Sequence, residues 1–131
     1  MQDHTNLRVF HQADELAIHV YRETKAFPRE EMFGLVSQMR RCAVSIPSNI
    51  VEGCSRETSA DYLRYLTISY GSAKELEYQA SLAARLGYVE QPAAFQLACS
   101  EMAKQMNSFI QGYKASLMKR GRRTNESPSH G

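Results

Sequence analysis

A chain of 131 residues with 43% hydrophobic and 23% charged side chains is long enough for one folded domain, and this composition excludes a disordered or fibrous protein. The net charge is only +2, but residues 1–118 carry −1 whereas residues 119–131 carry +3. The N-terminal segment is polar and the apolar runs are short, so we expect a cytoplasmic protein with no membrane partner.

Apolar residues at steps of three and four predict a first helix over about residues 8–26. Phe27 and Pro28 end it, because a residue before proline is pushed out of the helical region. Proline suits the first position of the next helix, so we predict a second helix over residues 28–52. Gly53 follows as its natural stop.

The second helix contains a proline at position 47. Pro47 removes one backbone donor and clashes with the carbonyl group of Ala43, at a cost of about 3 kcal/mol unless another group compensates. We expect Ser45, Ser48 or Asn49 to bond the freed carbonyl groups. Asn49 also lies three residues before Glu52, which allows a polar pair on one helix face. We interpret this pair as structural, because a carboxylate and an amide without a nucleophile or metal catalyse little.

The third and fourth helices are predicted over residues 59–86 and 92–118. Thr58 stands three residues before Asp61, as an N-cap does, and Pro92 restarts the chain after the third helix. Gly71 lies in the middle of the third helix at a cost of about 1 kcal/mol relative to alanine, so we expect another backbone to approach it closely. Short links make successive helices antiparallel, and no segment alternates like a strand. The predicted fold is an all-α, antiparallel up-and-down four-helix bundle spanning residues 1–118.

Residues 119–131 are predicted to form a basic, flexible C-terminal tail, because the residues after its basic cluster cannot bury apolar surface. The cluster consists of Lys119, Arg120, Arg122 and Arg123. These side chains can attract phosphate groups. The simpler interpretation is that they complement the negative end of the last helix.

No residue pattern indicates a catalytic site, a metal site or a cofactor. All four histidines lie in the first helix or at the chain ends, which excludes the di-iron type of helical bundle. The three cysteines are odd in number and widely separated, so we expect reduced thiols rather than disulfides or metal ligands. We therefore predict a protein that is not an enzyme.

Several short motifs follow one another in a specific order and spacing. They are Phe27-Pro28 with Glu31, Gly34-Leu35, Gln38 to Arg41, Ser45 to Ile50, Glu52-Gly53, Gly71-Ser72, Glu75-Leu76 and Leu86 to Tyr88. Over residues 7–118 the chain resembles the four-helix bundle proteins called 23S rRNA intervening-sequence proteins, or S23 ribosomal proteins. It departs from them at Phe10, where tryptophan is usual, and at Tyr78, where threonine is common. We interpret the following motif residues as structural: Ser45, Pro47, Asn49, Glu52, Gly53, Gly71, Ser72 and Glu75.

The resemblance implies an intracellular bundle that assembles as a ring-like homopentamer and has ribosomal RNA as a partner. A related group, the accessory proteins of diversity-generating retroelements, contacts a reverse transcriptase and nucleic acid. We therefore expect a non-enzymatic oligomeric scaffold that binds structured RNA or a ribonucleoprotein. The candidate RNA contacts are Arg40, Arg41, Arg64, Lys114, Lys119, Arg120, Arg122 and Arg123. Without an aromatic stacking motif, RNA shape and phosphate contacts would carry the affinity.

Two other functions remain open at this point. The nearly neutral body favours a protein adaptor whose oligomer surface binds another protein and never binds nucleic acid. The third possibility is an enzyme that uses Asn49, Glu52 and Glu75 in a pocket. A contiguous basic face supports RNA binding, whereas arginines paired with glutamates across subunits support the adaptor.

Overall fold

Four long helices dominate the computed structural model, which describes the backbone of residues 1–126 and the side chains of residues 1–123. The helices are α1 (Arg8–Thr24), α2 (Leu35–Cys54), α3 (Ser59–Arg85) and α4 (Pro92–Glu126). Two short 3-10 turns, His4–Asn6 and Arg29–Glu31, precede α1 and α2. The described residues contain no strand, so the predicted all-α class is confirmed.

The helices pack around one core in the order of the chain. α2 packs along α3, α3 along α4 and α1 along α2, while α1 and α4 make a smaller contact that closes the bundle. Large apolar side chains from three helices are fully buried at its centre, among them Ile46, Leu66, Leu76 and Met106. Burial of such side chains is worth about 1.5–3 kcal/mol each relative to exposure. The core therefore holds the helices in the predicted up-and-down order.

The second helix begins later than predicted. Pro28 precedes a 3-10 turn, and α2 starts only at Leu35 because Gly34 has φ −109° and ψ −112°, outside the helical region. The Tyr88 hydroxyl donates a hydrogen bond of 2.9 Å to Glu31 in this turn. The contact fixes the turn against the link between α3 and α4, a tertiary effect that local sequence rules do not contain.

The fourth helix ends later than predicted. It continues through Glu126 instead of stopping at Met118. The prediction of a flexible tail was therefore wrong for residues 119–126, which are helical. Lysine and arginine are good helix formers, and their charges favour the negative C-terminal end of a helix. Residues 127–131, which the tail prediction also covered, lie outside the described residues.

The close helix approach expected at Gly71 occurs instead at Gly53. A Cβ atom at Gly53 would lie 3.1 Å from the Tyr65 Cβ atom and 3.3 Å from the Tyr62 Cδ1 atom. Gly71 is exposed, and a Cβ atom there meets nothing within 4 Å. No other helix of the same chain therefore approaches Gly71 closely, and that prediction was wrong. Gly53 is also not the stop of α2, which continues to Cys54.

Side chains bond the carbonyl groups near Pro47, and α2 continues through this proline. The Asn49 side-chain amide donates to the Ser45 carbonyl at 2.8 Å, and the Ser69 hydroxyl donates to the Ile46 carbonyl at 2.8 Å. Asn49 thus bonds the Ser45 carbonyl and not the carbonyl of Ala43 that Pro47 frees, so this side chain does not provide the expected compensation. The Ser69 bond joins α3 to α2 at the proline.

Candidate nucleic-acid interface

Most of the candidate RNA-contact residues lie at one end of the bundle. Because neighbouring helices are antiparallel, the start of α3 lies beside the later turns of α4, and the Tyr113 hydroxyl donates to Ser59 at 3.1 Å. The end of α2 meets the N-terminal segment, where the Gln2 amide donates to the Cys54 carbonyl at 2.9 Å. The basic end is defined here by Arg56, Arg64, Lys114, Lys119, Arg120, Arg122 and Arg123.

The last turns of α4 present four of these cations on an ordered helix. Lys119, Arg120, Arg122 and Arg123 are exposed, and at 3.6 residues per turn they cover an arc of about 160°. Arg120 and Arg123 also make contacts within the protein. A helix holds these charges in fixed relative positions, which a flexible tail would not do.

Two further cations of the basic end enclose an aromatic ring. The guanidinium carbons of Arg56 and Arg64 lie 4.8 Å and 4.4 Å from the centre of the Tyr65 ring. Arg56 also donates to Glu52 and to the Tyr65 hydroxyl. These contacts hold both guanidinium groups in place.

Sequence reasoning missed Arg56. Its position four residues after Glu52 indicates an ion pair, and the two side chains do form one. Its place beside α4 depends on the packing of α2 and α3, which no local pattern reports.

The acidic residues at this end balance only part of its positive charge. Arg56 pairs with Glu52, and Arg64 lies 3.8 Å from Asp61. Glu57 and Asp3 add two further carboxylates. The surplus of positive charge at this end therefore comes from α4.

Arg40 and Arg41 do not join the basic end. The Arg40 side chain donates to the Thr24 hydroxyl at 3.0 Å and to the Tyr21 carbonyl at 3.3 Å, and it lies over the Tyr21 ring. Arg40 thus ties α2 to the end of α1, and its assignment as an RNA contact stays a prediction. Arg41 is exposed, but it lies on α2 beside Cys42, in the half of the bundle away from the basic end.

The motif residues of α2 and α3 meet along one line between the two helices. The Ser45 and Ser72 hydroxyl oxygens are 2.8 Å apart, and the Asn49 amide donates to the Ser45 hydroxyl at 2.9 Å. Further along, the Cys42 thiol donates to Glu75 at 3.0 Å. Ser45 and Ser72, and Cys42 and Glu75, therefore form polar contacts that join α2 to α3.

The polar pair predicted between Asn49 and Glu52 does not form. Asn49 bonds Ser45, whereas Glu52 pairs with Arg56. Glu75, the third residue of the enzyme alternative, contacts Cys42. Each of the three groups is thus bonded to a different partner.

The three cysteines are buried free thiols. Burial and the contact with Glu75 raise the pKa of Cys42 to about 12, and burial raises the pKa of Cys99 to about 12. Burial also raises the pKa of Cys54. The reactive thiolate form is therefore nearly absent at neutral pH.

We expect the folded protein at pH 8 to react with a thiol-specific reagent far more slowly than the unfolded protein, because raised pKa values and burial both suppress attack. Spectroscopic titration of thiols, with and without denaturant, measures this. Rapid modification of Cys99, the most buried of the three, in the native protein would contradict the burial described here.

Within the described residues, no group of three or more His, Cys, Asp or Glu side chains is placed to hold a metal ion. None of the helices in this part of the chain is both long and apolar enough to cross a membrane.

Comparison with known proteins gives a family match and a similar solved structure. Residues 5–108 match the sequence model of the family described as 23S rRNA-intervening sequence protein. Among solved structures, the chain is similar to a Bacteroides thetaiotaomicron VPI-5482 protein described as a protein with unknown function from the S23 ribosomal protein family. The two are 28% identical with a TM-score of 0.71, and the alignment covers 79% of this chain and 95% of that chain. The comparison with curated proteins gives no match.

Proposed function

The chain belongs to the 23S rRNA-intervening sequence protein family, and on this premise we propose that it is a non-enzymatic, cytoplasmic, oligomeric scaffold that binds structured RNA through its basic end. The resemblance seen in the sequence is thereby confirmed. The family description names an rRNA insertion and not a binding activity. The charges of the basic end are what support RNA binding.

The observation that carries the proposal is the ordered basic extension of α4. Its four exposed cations stand on a helix, at the same end as Arg56 and Arg64. The phosphates of an RNA helix are likewise a rigid array, so fixed cations can meet several of them at once. Contacts of this kind do not read sequence, and they weaken steeply as salt rises.

A protein adaptor is the second candidate function. It is favoured by the internal engagement of Arg40 and by the ion pairs of Arg56 and Arg64, which lower the charge available to RNA. The cations of α4 favour RNA instead. A binding titration with a structured rRNA fragment decides between them, because the adaptor alternative expects no saturable binding at low salt.

Self-association is proposed to use the outer face of α3. Ile68, Gly71 and Tyr78 lie on one side of this helix at steps of three and seven, and all three are exposed. Val44 is an exposed apolar side chain on the neighbouring α2. Exposed Glu75 lies on the same side between Gly71 and Tyr78, so this is a mixed surface, and its glycine suits close contact with a second copy of the chain. The ring-like homopentamer implied by the resemblance is the assembly we expect.

We expect light scattering at micromolar concentration to give the mass of an oligomer, most simply a pentamer, and a monomer mass would refute the assembly. Gly71→Leu should lower that mass, because a bulky side chain separates surfaces that glycine lets approach. The helical circular dichroism of the variant should be unchanged, since position 71 faces open space within the chain. An unchanged mass would exclude this face as the interface.

A further inference from the structure

A cavity of about 490 Å³ lies at the basic end, where α2 ends, α3 begins and the later turns of α4 pass. This volume falls in the usual range of small-ligand sites. Most of its wall is polar, and three separate helices or their links contribute to it. The side chains that matter are Arg56, Ser59, Tyr62, Tyr113, Ser116 and Arg120.

Hydroxyl groups line part of this cavity. The Tyr113 hydroxyl donates to the Ser59 oxygen, so the Ser59 proton is directed to another acceptor. Burial raises the pKa of Tyr62, so its phenol stays protonated, and it donates to the Gln2 side-chain oxygen at 3.4 Å. The cavity thus holds hydroxyl groups that keep their protons across the physiological pH range.

Two cations from different parts of the chain line the same space. Arg120 lines the cavity from α4, and Arg56 lines it from the link between α2 and α3. The Arg56 Nε atom is buried and has no hydrogen-bond acceptor among the described residues, while its Nη2 atom is bonded to Glu52 and Tyr65. Glu57 is the carboxylate in the wall, and Arg56 is also paired with Glu52 outside it, so Arg120 on α4 supplies the further positive charge.

The start of α3 adds to this positive potential. Thr58 caps the helix by accepting from the Asp61 amide at 3.1 Å. The amides of Ser59 and Ala60 belong to the first turn, whose N–H groups have no partner inside the helix. The positive end of a 27-residue helix therefore supplements the arginines.

We propose that this cavity binds a phosphate group. Two guanidinium groups and a serine hydroxyl on three elements match the three oxygens of a phosphate, which accepts several charge-assisted hydrogen bonds at once. The inference rests on the proposed function in so far as bound RNA supplies the phosphate, and a free nucleotide carries the same group. The remaining cations of the basic end then act along the RNA backbone outside the cavity.

The first test measures the phosphate site without RNA. Inorganic phosphate and a nucleoside 5′-monophosphate are titrated into the full chain while amide resonances are followed by NMR. We expect saturable shifts at Ser59 and Ala60, and Arg120→Gln should weaken this binding by about tenfold. Lys104→Gln is the matched control, because it removes one exposed charge from the same helix outside both the cavity wall and the basic end. Its affinity for phosphate should stay unchanged.

The second test uses a structured rRNA fragment and separates this proposal from the proposed function. If RNA fills the cavity, Ser59→Ala and Arg120→Gln each weaken RNA binding, and Ser59→Ala does so without any change in charge. If RNA binds but neither variant differs from Lys104→Gln and phosphate moves no amide, the cavity proposal is overturned while RNA binding stands. Phosphate binding without RNA binding supports the cavity as a nucleotide site and overturns the proposed function.

Discussion

Replacing Gly53 with leucine is expected to lower the free energy of unfolding by about 1–3 kcal/mol or more, because overpacking a tight contact forces side chains or backbone apart. A single Cβ atom at Gly53 already lies 3.1 Å from the Tyr65 Cβ atom and 3.4 Å from the Tyr62 carbonyl oxygen. Backbone and Cβ atoms cannot move aside as the end of a flexible side chain does. Urea denaturation followed by circular dichroism measures the change.

The same substitution at Gly71 is the matched control. No atom lies within 4 Å of a Cβ at this position, and leucine is a better helix former than glycine by about 0.8 kcal/mol. Gly71→Leu should therefore leave the stability of the isolated subunit unchanged or raise it. If the leucine at position 71 were the more damaging of the two within the subunit, the assignment of the close approach to Gly53 would be wrong.

Replacing all four cations at the end of α4 with glutamine is expected to cause the largest loss of RNA affinity. The variant combines Lys119→Gln, Arg120→Gln, Arg122→Gln and Arg123→Gln. Glutamine keeps the helix propensity, so only charge is removed. If each cation meets one phosphate, the slope of log affinity against log salt should become shallower by about three units. Fluorescence anisotropy with a labelled rRNA fragment at several salt concentrations measures this slope.

A second quadruple variant provides a control of equal charge at the opposite end of the bundle. Arg22, Lys25, Arg29 and Arg85 lie near the ends of α1 and α3, and all four are exposed. Their replacement by glutamine changes the net charge by the same amount. Equal losses of RNA affinity in the two variants would show that total charge, and not the basic end, determines binding.

Local sequence rules predicted the helices well because their signals are short-range. The pattern at Thr58 and Asp61 predicted the start of α3, and the hydroxyl does cap the helix there. The rules failed where the role of a residue depends on tertiary contacts. Gly53 matches the pattern of a helix stop, but two tyrosines of α3 pack so closely against it that a larger residue would not fit.

The candidate site was predictable in composition but not in position. The sequence identified the cations of α4 and Arg64, yet it also included Arg40, which the structure places against Thr24 and Tyr21. It omitted Arg56, which shares the Tyr65 ring with Arg64. The spacing of these residues does not predict which arginines face solvent, because their exposure depends on how neighbouring helices pack.

The most direct test of the account is the salt dependence of RNA binding by the unmodified protein. If the basic end meets RNA phosphates, log affinity for a structured rRNA fragment should fall linearly with log salt, with a slope steeper than about −3. Binding that is absent at low salt, or that is insensitive to salt, would contradict the central claim.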